Sequence, residues 1–264
     1  SVCIGPAPAS ESYLNQDALL SVAKATGCDG LHPGYGFLSE NADFADACVQ
    51  EGITFVGPAG NAIRKAGSKS VARDLMKRSG VPVTPGSDGP VNCVEDALDV
   101  AEKVGYPVLI KASAGGGGRG IRRCDTPEQV PSAFTQAKAE AKACFGNDEL
   151  YLEKLILNPR HIEFQVLADR FGNVIHLGDR DCSIQRRNQK LIEEAPAHCL
   201  TPELRKEMGA AEVKAARAVG YENAGTIEFL LDVDQQHFYF MEMNTRIQVE
   251  HGVTELITGV DLVR

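Results

Sequence analysis

The 264-residue chain is long enough for one large domain or two smaller ones, and its 43% hydrophobic and 24% charged content is that of a globular protein. A net charge of −9 argues against a general nucleic-acid or membrane binder and leaves only local basic runs to serve an anionic ligand. No run of about 18 apolar residues predicts a transmembrane helix, and the opening SVCIGPAPAS lacks the charged start and apolar core of a signal peptide.

Taken in order, the first sixty residues alternate helix and strand signals. The spacing predicts a helix over 17–26 stopped by Gly27, then a short strand over 28–31 and the loop His32-Pro33-Gly34-Tyr35-Gly36. A helix capped by Ser39 runs to about Gln50, and a second strand over 53–56 ends at Gly57-Pro58. Short strands alternating with helices indicate a parallel α/β sheet, whose loops after strand C-termini bind ligands. His32 in such a loop reads either as a ligand or catalytic group or as a turn-packing side chain. Residues 59–80 are helical in pattern and contain Lys69; the break Val81-Pro82-Val83-Thr84-Pro85-Gly86 marks the first domain boundary.

A helix over Val94–Val104, strands over Val108–Ala112 and Ile121–Cys124, and a long helix over 127–144 form a small α+β unit. The third section begins near Tyr151. Residues 160–169 alternate, with Ile162, Phe164 and Val166 on one face and His161, Glu163 and Gln165 on the other. A turn over 169–173 leads to a strand over 174–177. Thr201-Pro202-Glu203 starts a helix with a cap residue followed by proline, Leu204, Met208, Ala211, Ala215 and Val219 give its apolar stripe, and Gly220 ends it.

Residues 225–251 then read as two β-prone runs separated by Asp234-Gln235-Gln236, a hairpin. Strand alternation puts Glu228, Glu242 and Asn244 on one sheet face. Two carboxylates held about 4 Å apart at an effective dielectric near 20 repel by roughly 4 kcal/mol. The pair therefore suggests a cation, and hard oxygen ligands suit Mg²⁺ or Mn²⁺; the alternative is two glutamates on a solvated face.

Three further stretches carry chemistry. Lys111-Ala112-Ser113-Ala114-Gly115-Gly116-Gly117-Gly118-Arg119-Gly120 sits between two strands, where glycines let backbone N–H groups turn toward one anion. It is a mobile phosphate-binding loop or a flexible hairpin tip, and not a Walker sequence. The basic run Arg180, Arg186, Arg187 and Lys190 is a donor cluster or a solvated charge run. Arg246-Ile247-Gln248-Val249-Glu250-His251 offers a guanidinium for flat oxyanions and a carboxylate able to take a proton; a surface ion pair before a helix is the alternative. The eight cysteines form no C-x-x-C pair, which argues against a structural zinc site and for core thiols in a reducing compartment.

Together HPGYGFLSEN (32–41), KASAGGGGRGI (111–121), EEAPA (193–197) and EMNTRIQVEH (242–251) resemble biotin carboxylase, the ATP-grasp component of biotin-dependent carboxylases, over nearly the whole chain. The resemblance implies an ATP-grasp fold, α/β plus α+β. Its parts are a partial N-terminal Rossmann-like (preATP-grasp) domain over 1–57, a helical linker over 58–83, a lid subdomain with a mobile glycine-rich loop over 84–155, and a partial C-terminal region with an antiparallel sheet over 156–264. It implies that Lys69, Lys111, the Gly115, Gly116, Gly117 and Gly118 backbone and His161 hold ATP phosphates, with Gln185 also on the nucleotide. Glu153 and Lys154 resemble the segment that reads adenine, with Ile156 and Leu230 lining its pocket. Glu228 and Glu242 would bind Mg²⁺ or Mn²⁺, with Asn244 beside them. Lys190, Arg246, Gln248 and the Val249 backbone would hold bicarbonate, Glu250 would take its proton, and Arg246 would stabilise the biotin enolate.

The implied reaction is ATP-dependent carboxylation of biotin through carboxyphosphate. Its implied partners are a biotin carboxyl carrier protein, a carboxyltransferase and possible self-association as a homodimer, with neither nucleic acid nor membrane; the place is the cytoplasm, or the mitochondrial matrix of a eukaryote. Acetyl-CoA (as in fatty acid biosynthesis), propionyl-CoA, pyruvate and urea are the acceptors such a component serves. Several positions depart from the family pattern: four glycines after Ala114 rather than five, Ile121 for methionine, Asn188 for histidine and Gly252 for proline. Relative to the family, the chain is expected to lack part of the N-terminal domain and a large C-terminal portion, stopping inside a helix at Arg264. Two other readings stand beside this one: a bicarbonate-activating ligase of the carbamoyl phosphate synthetase type, and a nucleotide-binding fragment without turnover.

Overall fold

The structure is a computed structural model and describes residues 1–113, 120–187 and 189–264. The predicted mobile loop, Gly115 to Gly118 included, and Asn188 lie outside the described residues.

Three apolar cores organise the described chain. The first joins α1 (Gln16–Ala25), β1 (Gly30–Leu31), α2 (Ala42–Gln50) and β2 (Thr54–Phe55), and packs Leu20, Phe44, Cys48, Ile53, Phe55 and Ile63. β1 and β2 pair in parallel, Gly30 opposite Thr54, as the alternation of signals predicts. The cap of α2 is Asn41, whose side chain accepts from the Phe44 amide at 2.8 Å, rather than Ser39. Ser39 is instead buried in the preceding turn, its amide donating to the Gly36 carbonyl.

The predicted helix over 59–80 is two helices, α3 (Gly60–Gly67) and α4 (Lys69–Arg78). Ser68 between them is extended, with φ −91 and ψ 109. A Gly-Ser pair is a natural break, because glycine gains most from leaving a helix and serine competes for backbone hydrogen bonds there. The break makes Lys69 the first residue of a new helix.

The second core belongs to α5 (Val94–Val104), β3 (Val108–Ala112), β4 (Ile121–Cys124), α6 (Val130–Phe145) and β5 (Leu150–Lys154). The sheet is antiparallel in the order β4-β3-β5. A single 3-10 turn, Pro127–Gln129, precedes α6, where one continuous helix is predicted. Val108, Ile110 and Ala112 are buried against α5 and α6, so alternation turns Leu109 and Lys111 to the other face of the sheet.

The largest core lies under a five-stranded antiparallel sheet in the order β10-β9-β6-β7-β8. Its strands are β6 (Arg160–Ala168), β7 (Val174–Arg186), β8 (Gln189–Glu194), β9 (Asn223–Asp232) and β10 (His237–Asn244), and α7 (Pro202–Val219) covers one face. Thr201 caps α7 by accepting from the Leu204 amide, and Gly220 ends it in the left-handed conformation at φ 74, as predicted. Leu204, Met208, Ala215 and Val219 bury against Ile162, Phe164, Ile227 and Phe229.

Two expectations change in this section. The return strand over 174–177 continues through Arg186, carrying the donor-rich residues 181–186 into the sheet. On the face of His161, Glu163 and Gln165, opposite the apolar one, Glu163 and Gln165 are fully buried. The final helix, α8 (His251–Thr258), ends at left-handed Gly259, so residues 259–264 are not helical. No helix among the described residues is long and apolar enough to cross a membrane.

Candidate active site

A cleft of ≈ 1570 Å³ lies between the free face of the five-stranded sheet, the outward face of β3–β5 and the start of α4. The hairpin supplies its floor. Glu242 on β10 pairs directly with Glu228 on β9, and Asn244 with Thr226, so Glu228, Glu242 and Asn244 share one face.

Glu228 is buried and densely contacted. Its Oε1 accepts from Lys190 Nζ at 2.8 Å, Asn244 Nδ2 at 2.9 Å and Gln248 Nε2 at 3.0 Å. His161 Nε2 lies 3.0 Å from Oε2 without hydrogen-bond alignment. Burial alone would raise the Glu228 pKa, but the His161 ring and the Lys190 ammonium outweigh it and hold the carboxyl far below the usual range. Glu242 behaves oppositely. Burial and the neighbouring Glu228 charge raise its pKa, only partly offset by Lys69. It has no ion-pair partner among the described residues. A carboxylate facing another carboxylate with no cation of its own, beside an amide oxygen, is a donor set that fits a hard divalent ion, and Mg²⁺ or Mn²⁺ would be held here by Glu228 and Glu242.

Beside the pair, Lys190 on β8 donates to Glu163, to Glu228 and, at 2.8 Å, to Glu250. Burial would lower its pKa; the Glu228 and Glu163 carboxylates raise it overall, so the ammonium is firmly charged. Glu250 is drawn downward by Lys190 against the opposing effect of burial. Glu163 in turn accepts from Arg180 Nε at 2.6 Å. Arg180 is fully buried and uses all five N–H groups, donating also to Gln165, Thr254, Thr226 and Gln248. It fixes the Gln248 amide between itself and Glu228 and ties α8 to the sheet. The predicted basic run is therefore divided: Arg180 is consumed inside the protein, Lys190 faces the cleft, and Arg186 and Arg187 are exposed at the β7–β8 hairpin.

Arg246 also lines the cleft. Its Nη2 donates to Asn244 Oδ1 at 3.1 Å, Nη1 to the Ile247 carbonyl at 3.3 Å, and Nε to Glu40 Oε2 at 3.1 Å. One N–H on each Nη has no acceptor among the described residues, which leaves a two-pronged edge suited to a flat oxyanion. The Val249 residue is exposed on the same wall.

Lys69 and Ser70, in the first turn of α4, also line the cleft, and α4 has no side-chain cap. Lys111 on β3 ion-pairs with Glu153 on β5, and both line the cleft. Gln185 Nε2 lies 3.2 Å from His161 Nδ1. Leu230, Leu109, Phe240 and Met241 make an apolar patch between the two sheets.

Two residues of the expected adenine segment turn their side chains away from the cleft. Lys154 follows Glu153 in β5 and so points to the opposite face, where its ammonium donates to the Gly105 and Tyr106 carbonyls at 2.9 and 2.7 Å. Ile156 is buried and does not line the cleft. His32 accepts from the Gly34 amide at 3.0 Å inside its own turn. Sequence reasoning missed the roles of Glu163, Arg180 and Glu40. The available signal was a glutamate and an arginine inside otherwise apolar strands, a pairing that only the register of β6 and β7 reveals.

Family models, known proteins and solved structures all match this chain. The family model "Carbamoyl-phosphate synthase L chain, ATP binding domain" matches residues 68–264, and "Biotin carboxylase, N-terminal domain" matches residues 1–63. Biotin carboxylase 2, chloroplastic, of Populus trichocarpa is 60% identical over 263 residues, covering 100% of this chain and 50% of that protein. Biotin carboxylase 1 of Bacillus subtilis is 57% identical over 262 residues, covering 99% of this chain and 58% of that protein. The chain thus spans about half the length of the curated relatives it matches. Among solved structures, a biotin carboxylase–βγ-ATP complex from Campylobacter jejuni superposes with a TM-score of 0.92 at 51% identity, covering 100% of this chain and 59% of that one. The biotin carboxylase domain dimer of Hydrogenobacter thermophilus 2-oxoglutarate carboxylase, in complex with MgADP, ADP and bicarbonate, gives 0.88 at 55% identity, covering 98% and 57%.

Proposed function

The chain belongs to the biotin carboxylase family and has its ATP-grasp fold, and on that premise we propose that the protein carrying it is a ligase that carboxylates biotin with ATP and bicarbonate. The observation that carries the reading is the Glu228–Glu242 pair lying beside an oxyanion-suited cluster of Lys190, Arg246 and Glu250 in one cleft.

In this reading ATP lies between the two sheets. Its adenine rests on the Leu230 patch, with the backbone of residues 153–156 reading its edge. Lys69, Lys111, His161, Gln185 and the Gly115–Gly118 backbone face its phosphates, helped by the α4 N-terminus. A divalent ion at Glu228, Glu242 and Asn244 neutralises the phosphates when bound. Bicarbonate sits against the free Arg246 edge, Lys190, Gln248 and the Val249 backbone. Glu250 accepts its proton, and the freed oxygen attacks the γ-phosphorus with ADP as leaving group. Carboxyphosphate then splits to CO₂ and phosphate, the released phosphate takes the ureido N–H proton of biotin, and the resulting enolate, stabilised by Arg246, attacks the CO₂ through that nitrogen. The protein's part is charge placement and orientation, which dominate phosphoryl transfer.

The biotin is carried by a carrier protein or domain and handed to a carboxyltransferase, and the protein pairs with a second copy; one solved relative is a domain dimer. The eight free thiols suit a reducing compartment such as the cytoplasm. The first and second cores favour an N-terminal unit to about residue 57 and a lid unit over 84–155, while the linker over 58–83 packs mainly into the core of the antiparallel-sheet unit beyond.

The test is ATP cleavage by the full-length protein with and without free biotin and bicarbonate. Cleavage requiring both is expected. Cleavage that ignores biotin favours a ligase of the carbamoyl phosphate synthetase type, and nucleotide binding without cleavage favours a non-catalytic role.

A further inference from the structure

Glu40 belongs to no element of the cleft. It lies at the end of the His32-to-Asn41 segment of the N-terminal unit, two hundred residues in sequence from the residues it holds. Its carboxylate is divided between two tasks. Oε1 accepts from the Thr245 amide at 3.0 Å and lies 3.4 Å from Thr245 Oγ1; Oε2 accepts from Arg246 Nε at 3.1 Å. Thr245 is buried, whereas Arg246 is only partly covered and reaches the cleft wall. With Nε taken by Glu40, one Nη hydrogen by Asn244 and another by the Ile247 carbonyl, the guanidinium has a single orientation left. One N–H on each Nη is left without an acceptor among the described residues, and Arg246 lines the cleft.

Resting on the reading of Arg246 as an oxyanion ligand, we propose that Glu40 is a positioning residue that fixes the Arg246 guanidinium for bicarbonate and so couples the N-terminal unit to the oxyanion pocket. Glu40 touches neither substrate. It sets the plane of the group that does and neutralises part of its charge. A glutamine in its place keeps an acceptor for Thr245 but loses the charge that holds Nε, so Arg246 can rotate away from the two-pronged pose. The metal side is reached only indirectly, through the Arg246–Asn244 hydrogen bond.

The test uses the full-length protein and four forms: wild type, Glu40→Gln, Arg246→Ala and the double variant. Bicarbonate affinity is followed by the ¹³C signal of bicarbonate and by the Arg246 Nε–H resonance, MgATP affinity by calorimetry, and folding by thermal melting. Glu40→Gln is expected to weaken bicarbonate binding about tenfold, the scale of one lost hydrogen bond to a charged group. It should shift the Nε–H resonance, weaken MgATP affinity far less than bicarbonate affinity, and leave melting within error. In the Arg246→Ala background the same change should do nothing, because its effect passes through the arginine. Equal losses in both backgrounds, or unchanged bicarbonate binding in Glu40→Gln, overturn the proposal. Wild-type protein that binds bicarbonate but shows no biotin-dependent turnover overturns the functional reading alone. Wild-type protein that binds no bicarbonate overturns both.

Discussion

Lys190 concentrates the chemistry of the cleft at the level of single residues. One ammonium serves Glu163, Glu228 and Glu250, so three acids that would repel one another are held in a cluster by a common cation. Glu250 is the member of that cluster next to the Arg246 edge, which suits it to take a proton from an oxyanion bound there. Glu250→Gln in the full-length protein is expected to leave ATP binding intact and lower bicarbonate-dependent turnover by about 10²–10⁴; turnover within a factor of about two of wild type would remove the base assignment. Glu242 gives a pH test on the ligand-free chain. Its folded pKa is raised, so ionising it costs stability as pH rises past the ordinary carboxylate value, and the cost is absent below about pH 4. Glu242→Gln should therefore melt higher than wild type near neutrality and match it in acid, with added MgATP reversing the order. A variant that melts lower at neutral pH would contradict this. Arg180 is the structural counterpart. Arg180→Met leaves the buried Glu163 to Lys190 alone and unpairs the buried Gln165 and Gln248 oxygens, and is expected to cost about 3–5 kcal/mol in urea unfolding; a loss under about 1 kcal/mol would show that the network is dispensable.

At the scale of elements, legibility followed the range of the interactions involved. The α7 helix, with its Thr201 cap and Gly220 end, and the strand pair around Glu228 and Glu242 are written in local patterns, and both were readable. The split of α3 from α4 at Ser68 was not, since both halves keep an apolar helical stripe and only the backbone turn separates them. Nor was the burial of Glu163 and Gln165. Alternation marks which residues share a face but cannot tell a solvated face from one covered by α8 and filled by an arginine from the next strand. In the segment of Glu153 and Lys154, alternation turns the Lys154 side chain away from the face that carries Glu153. Gly86 offers an element-scale test. A Cβ there would lie 2.3 Å from the Leu152 carbonyl, backbone that cannot move without shifting β5. Gly86→Ala should destabilise the β3–β5 unit by roughly 1–3 kcal/mol, read as faster amide exchange in β5; unchanged exchange would mean the segment 84–88 packs elsewhere.

For the molecule as a whole, three apolar cores meet around one polar cleft, and each contributes a different part. The five-stranded sheet carries the acids, the three-stranded sheet and α4 carry phosphate-side cations, and the N-terminal unit reaches in through Glu40. The sequence motifs named the participants from each unit. What they could not supply was the closing of distances between units, because those contacts join residues such as Glu40 and Arg246 that no local pattern links. The central claim is that the ion held by Glu228 and Glu242 sits next to the bicarbonate pocket. Mn²⁺ bound with a non-hydrolysable ATP analogue to the full-length protein makes that proximity measurable, through the relaxation it causes in ¹³C-bicarbonate. Strong relaxation that disappears in Glu242→Ala is the predicted result; bicarbonate that binds but relaxes as it does without manganese would contradict the account.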